Sequence, residues 1–363
     1  MKIVHILWTL GRAGAERMVL DMGRYMKAEG HEVYVVAAGG GGEMQKEFEE
    51  AEIPVTVISA GSRAKRGLLI KQITKQLAAW QPDIVHTHLG GDVWGGKAVK
   101  KLKHIPWLMT AHSHENDIPF IQRFGRRWAY AHADHIVAVS KSVAQAVTER
   151  YHIPHNHLSI IPVGLDLARF KPRDPHLPGD VPVIINIGRL VPEKGQETLL
   201  RALASIEQPY ILRLIGQGPA FLKLQRLAES LGILPRVHFQ GSVKDVTPFL
   251  HESDLFCFPS HHEGQGVALY EAAASFVPII ASDLEAFRER FDESMMTFVK
   301  AHDVAGWTRA IRHALQQYGQ SLERAKRAEA EVKEHFSKEV MGEAYLSLYQ
   351  ELIKKAKTGK RVL

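Results

Sequence analysis

Two cationic side chains stand close together in the second half of the chain, in a loop that begins with glycine. Arg189 and Lys194 lie five positions apart and follow the apolar run of residues 183–187. A guanidinium presents a planar fork to phosphate oxygens, and an ammonium presents a point charge. A helical pattern begins near Gln196, and the N-terminus of a helix adds partial positive charge. The stretch therefore predicts a diphosphate-binding loop.

A pair of glutamates flanks the predicted start of another helix. Glu263 and Glu271 have seven residues between them, among them Gly264 and Gly266. Glycines at a helix start allow backbone N–H groups to approach an anion or sugar hydroxyls closely. Carboxylates suit vicinal diols because they accept hydrogen bonds from two hydroxyl groups. Eight helical residues would span about 12 Å, which is about the length of a nucleotide-sugar.

Alternating apolar runs and helical patterns surround these loops. A strand, a glycine-containing loop, a helix and a second strand open the chain, which is typical of a parallel doubly wound sheet. The predicted strands are residues 3–7, 33–36, 55–58, 83–88, 107–110, 135–139, 183–187, 210–215, 237–239, 255–258 and 277–281. Five prolines between residues 152 and 180 interrupt the pattern and mark a domain boundary. We therefore expect an α/β protein with two Rossmann-like domains that face each other across a cleft.

The composition is that of a globular protein in a reducing compartment. Hydrophobic residues make up 45% and charged residues 24% of the 363 residues. Cys257 is the single cysteine, so an internal disulfide is excluded. Neither a signal peptide nor an apolar run of membrane-spanning length is evident. We expect a cytoplasmic protein, either free or held peripherally on the inner face of the membrane.

The positive net charge is concentrated in the first half of the chain. The formal charge is +6, and residues 1–175 hold 23 Lys and Arg against 17 Asp and Glu. Such a field attracts phosphates or anionic lipid head groups; the alternative is a solvated surface that aids solubility. No nucleic acid partner is expected, because interleaved aromatic stacking positions are lacking. The densest region includes Lys65, Arg66, Lys97, Lys100, Lys101, Lys103, Arg123 and Arg126.

Taken together, these motifs resemble the retaining glycosyltransferases with the GT-B fold, specifically family 4 (glycosyl transferases group 1). The resemblance covers nearly the whole chain and rests on residues 11–17, 83–88, 110–113, 133–140 and 263–271. It implies an N-terminal acceptor-side domain over residues 1–165 and a nucleotide-sugar donor domain over residues 166–338. It also implies a C-terminal helix, residues 339–363, that crosses back to the first domain.

The resemblance implies roles for individual residues. His112 would reach the donor sugar, and Arg189 and Lys194 would bind the diphosphate. Glu263 would hold the sugar and Glu271 the ribose. No catalytic nucleophile is evident. The further donor-binding positions are Gly11 and Gly14 for a phosphate or the acceptor, Gly241 and Val243 for the base, and Gly188, Gly264, Gln265, Gly266 and Val267 around the two loops.

Three positions depart from the family pattern. Val163 stands before Gly164 where asparagine is frequent. Gln265 stands where an aromatic residue is commoner, which bears on the choice of donor. Phe276 stands where the family usually has glycine, which suggests local repacking.

Histidine pairs raise the question of a metal site. His86 and His88 alternate along a predicted strand, as do His112 and His114, but no third ligand has convincing spacing. The family works without a metal. We therefore expect no metal and no other cofactor, with the nucleoside diphosphate sugar as co-substrate.

The sequence thus predicts a hexosyltransferase of class EC 2.4 that moves a sugar, with retention, from a nucleoside diphosphate donor. The acceptor would be a glycan or a lipid-linked molecule in the synthesis of cell-surface polysaccharide, lipopolysaccharide or glycolipid. Two alternatives are a non-catalytic partner protein that binds nucleotide-sugars and a sugar-nucleotide epimerase with the GT-B fold.

Overall fold

The structure, a computed structural model, describes residues 1–59, 66–102, 105–115, 120–173 and 177–358. The chain divides into two compact units. Unit 1 comprises Met1–Gly164 with Lys338–Leu363, and unit 2 comprises Leu165–Ser337.

The described part of unit 1 contains one parallel sheet and the helices that connect its strands. The strands are β1 (Lys2–Leu7), β2 (Glu32–Ala37), β3 (Val55–Val57), β4 (Ile84–His88), β5 (Trp107–Ala111), β6 (His135–Ala138) and β7 (Leu158–Ile160). The helices are α1 (Gly14–Ala28), α2 (Gln45–Glu50), α3 (Arg66–Trp80), α4 (Gly91–Val99), α5 (Phe120–His132), α6 (Lys141–Tyr151) and, after unit 2, α14 (Lys338–Lys357). The sheet order is β3-β2-β1-β4-β5-β6-β7, with a change of direction at β1 and β4.

Unit 2 repeats this plan. Its strands are β8 (Val183–Ile187), β9 (Ile211–Ile215), β10 (Val237–Gly241), β11 (Leu255–Phe258), β12 (Ile279–Ser282) and β13 (Thr297–Val299). Its helices are α7 (Gln196–Leu203), α8 (Phe221–Ser230), α9 (Thr247–His251), α10 (Val267–Ala274), α11 (Glu285–Arg288), α12 (Val304–Gln316) and α13 (Tyr318–His335). The parallel sheet has the order β10-β9-β8-β11-β12-β13.

The central strands of unit 2 carry apolar side chains on both faces because helices cover both sides of the sheet. Phe256 and Phe258 belong to one buried cluster, whereas Leu255 and Cys257 belong to the other. Cys257 is fully buried, and burial raises the pKa of its thiol. It is therefore a small core residue.

The predicted class of two Rossmann-like α/β domains is confirmed. Ser140 caps α6, since its hydroxyl accepts a hydrogen bond from the Val143 N–H at 3.2 Å. The short edge strands β7 and β13 were not predicted. Each has three residues, which is too few for an alternating or continuous apolar pattern to stand out.

Candidate active site

The predicted diphosphate loop runs from the end of β8 to the start of α7. Backbone hydrogen bonds hold it against the loop after β9: the Gly188 N–H donates to the Ile215 carbonyl at 2.9 Å. The buried Gln196 side chain donates to the Arg189 carbonyl at 3.1 Å. The loop is therefore fixed from beneath by its own backbone and by the first residue of the following helix.

Gly195 joins this loop to the loop after β11. Its φ is +66°, and a Cβ there would lie 2.0 Å from the Pro259 carbonyl oxygen. A side chain is excluded by both the left-handed backbone and the missing space. The close approach sets the two charged loops side by side.

Lys194 and Glu263 form an ion pair across these loops. The Lys194 Nζ lies 2.5 Å from Glu263 Oε1, and the Ser260 hydroxyl donates to the same oxygen at 2.7 Å. Glu263 is 9% exposed, so the pair is screened from bulk water on the carboxylate side. From the sequence, Lys194 was expected to contact the diphosphate and Glu263 the sugar; in the structure each is the other's partner.

Arg189 is the exposed cation of the loop. Its side chain forms no ion pair or hydrogen bond with any residue that the structure describes. The positive charge of Lys194 is balanced by Glu263, whereas that of Arg189 is open to an incoming anion. Arg189 therefore supplies the uncompensated charge of this edge of unit 2.

The glutamate pair is placed by the β11–α10 connection. Gly266 is the N-cap of α10 with φ +81°, and no side chain caps that helix end. The helix begins at Val267, so Glu263 precedes it and Glu271 lies within it, as predicted. The predicted helical span of about 12 Å from Glu263 to Glu271 is wrong, because residues 263–266 are not helical. Glu271 lies just over one turn into α10. A left-handed glycine allows the chain to turn sharply into the helix, so residues 263–266 form a loop instead of a first turn.

The other predicted donor-binding positions of unit 2 lie at the same carboxyl edge of its sheet. Gly241 ends β10, and its carbonyl accepts from the Gly216 N–H at 2.8 Å. Val243 is partly buried against the apolar cluster beneath α10. Gln265 is buried at 5% exposure and Gly264 is partly exposed. Carboxyl ends of parallel strands are where open α/β sheets bind ligands.

A cavity of about 250 Å³ lies beside the diphosphate loop, on the side of α7 and α8. Gly195, Gln196 and His261 line it, but Arg189, Lys194, Glu263 and Glu271 do not. The cavity is also lined by the cations Arg201 and Lys223, but both are paired with Glu197. Arg189 has no such partner among the described residues, so we keep the candidate site at the charged residues of the two loops.

The predicted site residues of unit 1 are Gly11, Gly14 and His112. Gly11 lies in the loop after β1, and Gly14 is the first residue of α1, whose N-cap Ala13 offers no side-chain cap. Ala13 has no side-chain oxygen to accept from the N–H groups of the first turn, and such a helix end suits an anion. His112 directly follows β5 and is partly exposed.

Buried histidines behind His112 were missed as site components. His88 Nδ1 lies 3.1 Å from His112 Nε2, and His5 Nδ1 lies 3.1 Å from His88 Nε2. His86 contacts the Tyr349 hydroxyl and the Thr110 hydroxyl, each at 2.6 Å. Strand order was the missing information, since β1, β4 and β5 are neighbours in space but distant in sequence.

Among the described residues, His5, His86 and His88 also form a group whose ligand atoms all lie within 4.8 Å of one another. His5 is the third neighbour that spacing did not reveal. Both ring nitrogens of His86 and of His88 are already engaged in hydrogen bonds. Metal binding would therefore cost existing hydrogen bonds.

Arg126 does not belong to an open basic surface, contrary to its place in the predicted cationic region. Its guanidinium donates to the buried Asp92 and lies 3.6 Å from Glu115 Oε1. Glu115 also accepts from the Tyr130 hydroxyl at 3.1 Å and from the Tyr151 hydroxyl at 2.5 Å. The positive charge of Arg126 was evident from the sequence, but its neutralisation by Asp92 and Glu115 was not.

Several other members of the cationic region are also in contact with a partner or lie outside the described residues, whereas Lys101 is exposed. Lys100 pairs with Asp134 at 3.1 Å, and Lys97 lies over the rings of Trp94 and Trp128, 5.5 Å from each centroid. Lys65 and Lys103 lie outside the described residues, as does the side chain of Arg66. No helix within the described ranges is both long and apolar enough to cross a membrane.

Comparisons with known proteins match both halves of the chain to glycosyltransferase families. The family described as Glycosyltransferase Family 4 matches residues 12–169, and Glycosyl transferases group 1 matches residues 168–334. The chain is 29% identical over 277 residues to a D-inositol 3-phosphate glycosyltransferase of Nocardia farcinica, covering 67% of this chain and 60% of the relative. It is 33% identical over 174 residues to the lipopolysaccharide core biosynthesis glycosyltransferase LpsE of Rhizobium meliloti, covering 47% and 50%. The matches thus span 50–60% of the length of these two relatives.

Solved structures share the fold over nearly the whole chain. Anabaena HepE, solved in complex with UDP and glucose, has a TM-score of 0.86 at 18% identity and covers 97% of this chain and 100% of its own. A glycosyltransferase from Rickettsia africae has a TM-score of 0.82 at 21% identity, covering 97% and 98%. With two consecutive family matches over most of its length and this fold, the chain belongs to the GT-B glycosyltransferases of family 4.

Proposed function

We propose that this chain transfers a hexose-type sugar from a nucleoside diphosphate sugar to a glycan or lipid-linked acceptor, with retention of anomeric configuration. The observation that carries the proposal is the Lys194–Glu263 ion pair beside the uncompensated Arg189, at the carboxyl edge of the unit 2 sheet. A diphosphate needs cations, and a sugar needs a carboxylate to accept its hydroxyl protons. The paired residues supply both from one place.

In the proposed reaction the bond between C1 of the sugar and the phosphate oxygen breaks, and its electron pair leaves with the diphosphate. The acceptor oxygen forms the new bond to C1, and its proton passes to the diphosphate or to solvent. Arg189 and Lys194 stabilise the charge that develops on the leaving group. Glu263, released from Lys194 by the phosphate, then accepts hydrogen bonds from the sugar. Retention is what the family resemblance implies.

Turnover with a panel of donors tests this proposal. UDP-glucose is the first donor to use, because HepE was solved with UDP and glucose. We expect release of nucleoside diphosphate together with a glycosylated acceptor of the same anomeric configuration, read by NMR. Formation of an epimerised nucleotide-sugar would favour the epimerase alternative, and donor binding without turnover across the panel would favour the non-catalytic one.

We further propose that unit 1 rests on anionic membrane lipid through α3 and α5. Phe124 is 67% exposed between Arg123 and Arg127, and Leu68 on α3 is 50% exposed. Apolar side chains flanked by cations suit the interface of an anionic bilayer. This placement would bring a lipid-linked acceptor to the protein.

Vesicle sedimentation tests the membrane proposal. We expect binding to phosphatidylserine-containing vesicles, little binding to pure phosphatidylcholine, and weaker binding after Phe124→Ser. Leu222 is 60% exposed on unit 2, so Leu222→Ser is the matched control and should leave binding unchanged. Equal binding by both variants and the wild type would contradict the placement.

A further inference from the structure

Three imidazoles form a continuous hydrogen-bonded row across three neighbouring strands of unit 1. His5 lies on β1, His88 ends β4, and His112 follows β5. Adjacent ring nitrogens are 3.1 Å apart at both contacts. His5 and His88 are completely buried, whereas His112 is partly exposed. We call these three residues the histidine row.

Each ring of the row is neutral, so each carries a single N–H proton. Burial lowers the pKa of His5 to about 3 and, with the neighbouring imidazoles, lowers the pKa of His88 well below 6.5. Burial and the nearby Arg126 lower the pKa of His112 to about 3. A neutral imidazole donates through one nitrogen and accepts through the other. The row is therefore restricted to two proton arrangements that keep both hydrogen bonds.

The buried end of the row distinguishes the two arrangements. His5 Nε2 is buried and has no partner among the described residues. In the inward arrangement His112 donates to His88 and His88 donates to His5, which makes His5 Nε2 an N–H donor without an acceptor. In the outward arrangement His5 donates to His88 and His88 donates to His112, and His5 Nε2 then carries only an unused lone pair. A buried donor without a partner is the rarer and costlier defect. The outward arrangement gives His5, His88 and His112 each a proton on Nδ1.

We infer that His5 and His88 are positioning residues that hold His112 as the Nδ1–H tautomer, so that its exposed nitrogen is a hydrogen-bond donor to an oxygen of the ligand. No bond to a described residue engages His112 Nδ1, and the atom is not buried. The donor role toward the transferred sugar rests on the proposed function; the proton arrangement itself does not. The family resemblance implies only that His112 contacts the donor sugar. The histidine row adds that His112 is the hydrogen-bond donor in that contact.

His86 is a neighbour of the row but not a member. Its ring lies 4.0 Å from that of His88, yet its nitrogens contact Tyr349 and Thr110. It therefore ties α14 to the sheet and leaves the direction of the row unchanged.

NMR of the wild-type protein with isotope-labelled histidine rings tests the arrangement directly, with signals assigned by single histidine substitutions. We expect Nδ1 to carry the proton in His5, His88 and His112. A proton on Nε2 of His112 would overturn the inference. This readout needs no substrate and no turnover.

A substitution at the far end of the row tests the coupling. The carboxylate of His5→Asp would accept from His88 Nε2, so the row should reverse and His112 should become the Nε2–H tautomer. His5→Asn retains an amide donor and should leave His112 as in the wild type. An unchanged His112 in a folded His5→Asp protein would overturn the coupling; if that variant does not fold, the wild-type measurement still decides the direction.

Kinetics of two isosteric variants test the donor role. His112→Asn keeps an N–H group near the Nδ1 position and should retain kcat/KM to within about tenfold, the scale of one hydrogen bond. His112→Asp offers only acceptors there and should lose more. Equal values would overturn the donor role. If the tautomers are as inferred but the wild type transfers no sugar, the proposed function fails while the proton arrangement stands.

Discussion

The Lys194 ammonium and the Glu263 carboxylate lie 2.5 Å apart, so the proposed diphosphate-binding cation and the proposed sugar-binding anion form one ion pair. Side-chain exposures of 19% for Lys194 and 8% for Glu263 put the pair at the edge of the protein interior. Removing one partner there leaves a poorly solvated charge. Because each charge neutralises the other, neither Lys194 nor Glu263 is a poorly solvated unpaired charge in the structure.

Lys194→Ala should lower kcat/KM by roughly 10²–10³-fold, by analogy with the loss of one preorganised donor to a developing anion. Steady-state kinetics with the active donor measures this. Lys223 is an exposed lysine of the same unit, paired with Glu197, and Lys223→Ala is the control that should stay near wild type. A near-wild-type rate for Lys194→Ala would remove Lys194 from the mechanism.

Glu263→Gln should distinguish the proposed diphosphate binding by Lys194 from the proposed sugar binding by Glu263. The amide keeps the shape of the side chain but not its charge, so Lys194 is released while the sugar loses a carboxylate. We expect nucleoside diphosphate to bind at least as tightly as in the wild type, whereas turnover falls. Calorimetry of diphosphate binding together with kinetics checks both. Weaker diphosphate binding by this variant would contradict the proposed exchange of partners.

Gly195→Ala should disrupt the candidate site although Gly195 has no side chain that could bind a ligand. The added Cβ would meet the Pro259 carbonyl oxygen at 2.0 Å and occupy a left-handed backbone, so the two charged loops must separate. We expect a lower melting temperature and lost turnover. Gly319→Ala, where nothing lies within 4 Å of the new Cβ, is the control. Equal activity of the two variants would show that the loop contact is dispensable.

Buried neutral histidines should make unit 1 sensitive to acid. Burial lowers the pKa of His5 to about 3 and of His135 to about 4, so below pH 6.5 the unfolded chain binds more protons than the folded one. Stability is therefore greatest above pH 6.5 and falls as the pH decreases toward these folded values. His5 alone contributes about 2 kcal/mol to the difference between pH 7 and pH 5.

Urea unfolding at the two pH values measures this effect. His5→Asn should reduce the loss of stability between pH 7 and pH 5, because one titrating group is gone. His155 is exposed in the same unit, and His155→Asn should leave the loss unchanged. A loss in His5→Asn as large as in the wild type would contradict the burial argument.

The order of elements could be predicted from the sequence because each central strand is a short apolar run followed by a glycine or polar turn. Cys257 lies inside one of these apolar runs and is fully buried. The pairing of Lys194 with Glu263 could not be predicted, since β8 and β11 become neighbours only through the sheet order. His5, His88 and His112 are likewise far apart in sequence, and they meet only because β1, β4 and β5 are neighbours in the sheet of unit 1.

Phe276 has a left-handed backbone conformation at a helix end, which the sequence only partly indicated. The structure gives it φ +60° at the end of α10, where its N–H donates to Ala273 and the next N–H donates to Ala272. This left-handed helix end favours glycine. The absence of glycine at this position was evident from the sequence. The structure adds that the Phe276 side chain is buried, at 8% exposure.

Calorimetric titration with a nucleoside diphosphate, UDP first, tests the central claim most directly. The wild type should bind, Arg189→Ala should bind at least about tenfold more weakly because the uncompensated cation is lost, and Arg201→Ala, an exposed arginine paired with Glu197, should bind like the wild type. Equal affinity of the Arg189 and Arg201 variants for a diphosphate that the wild type binds would contradict the account.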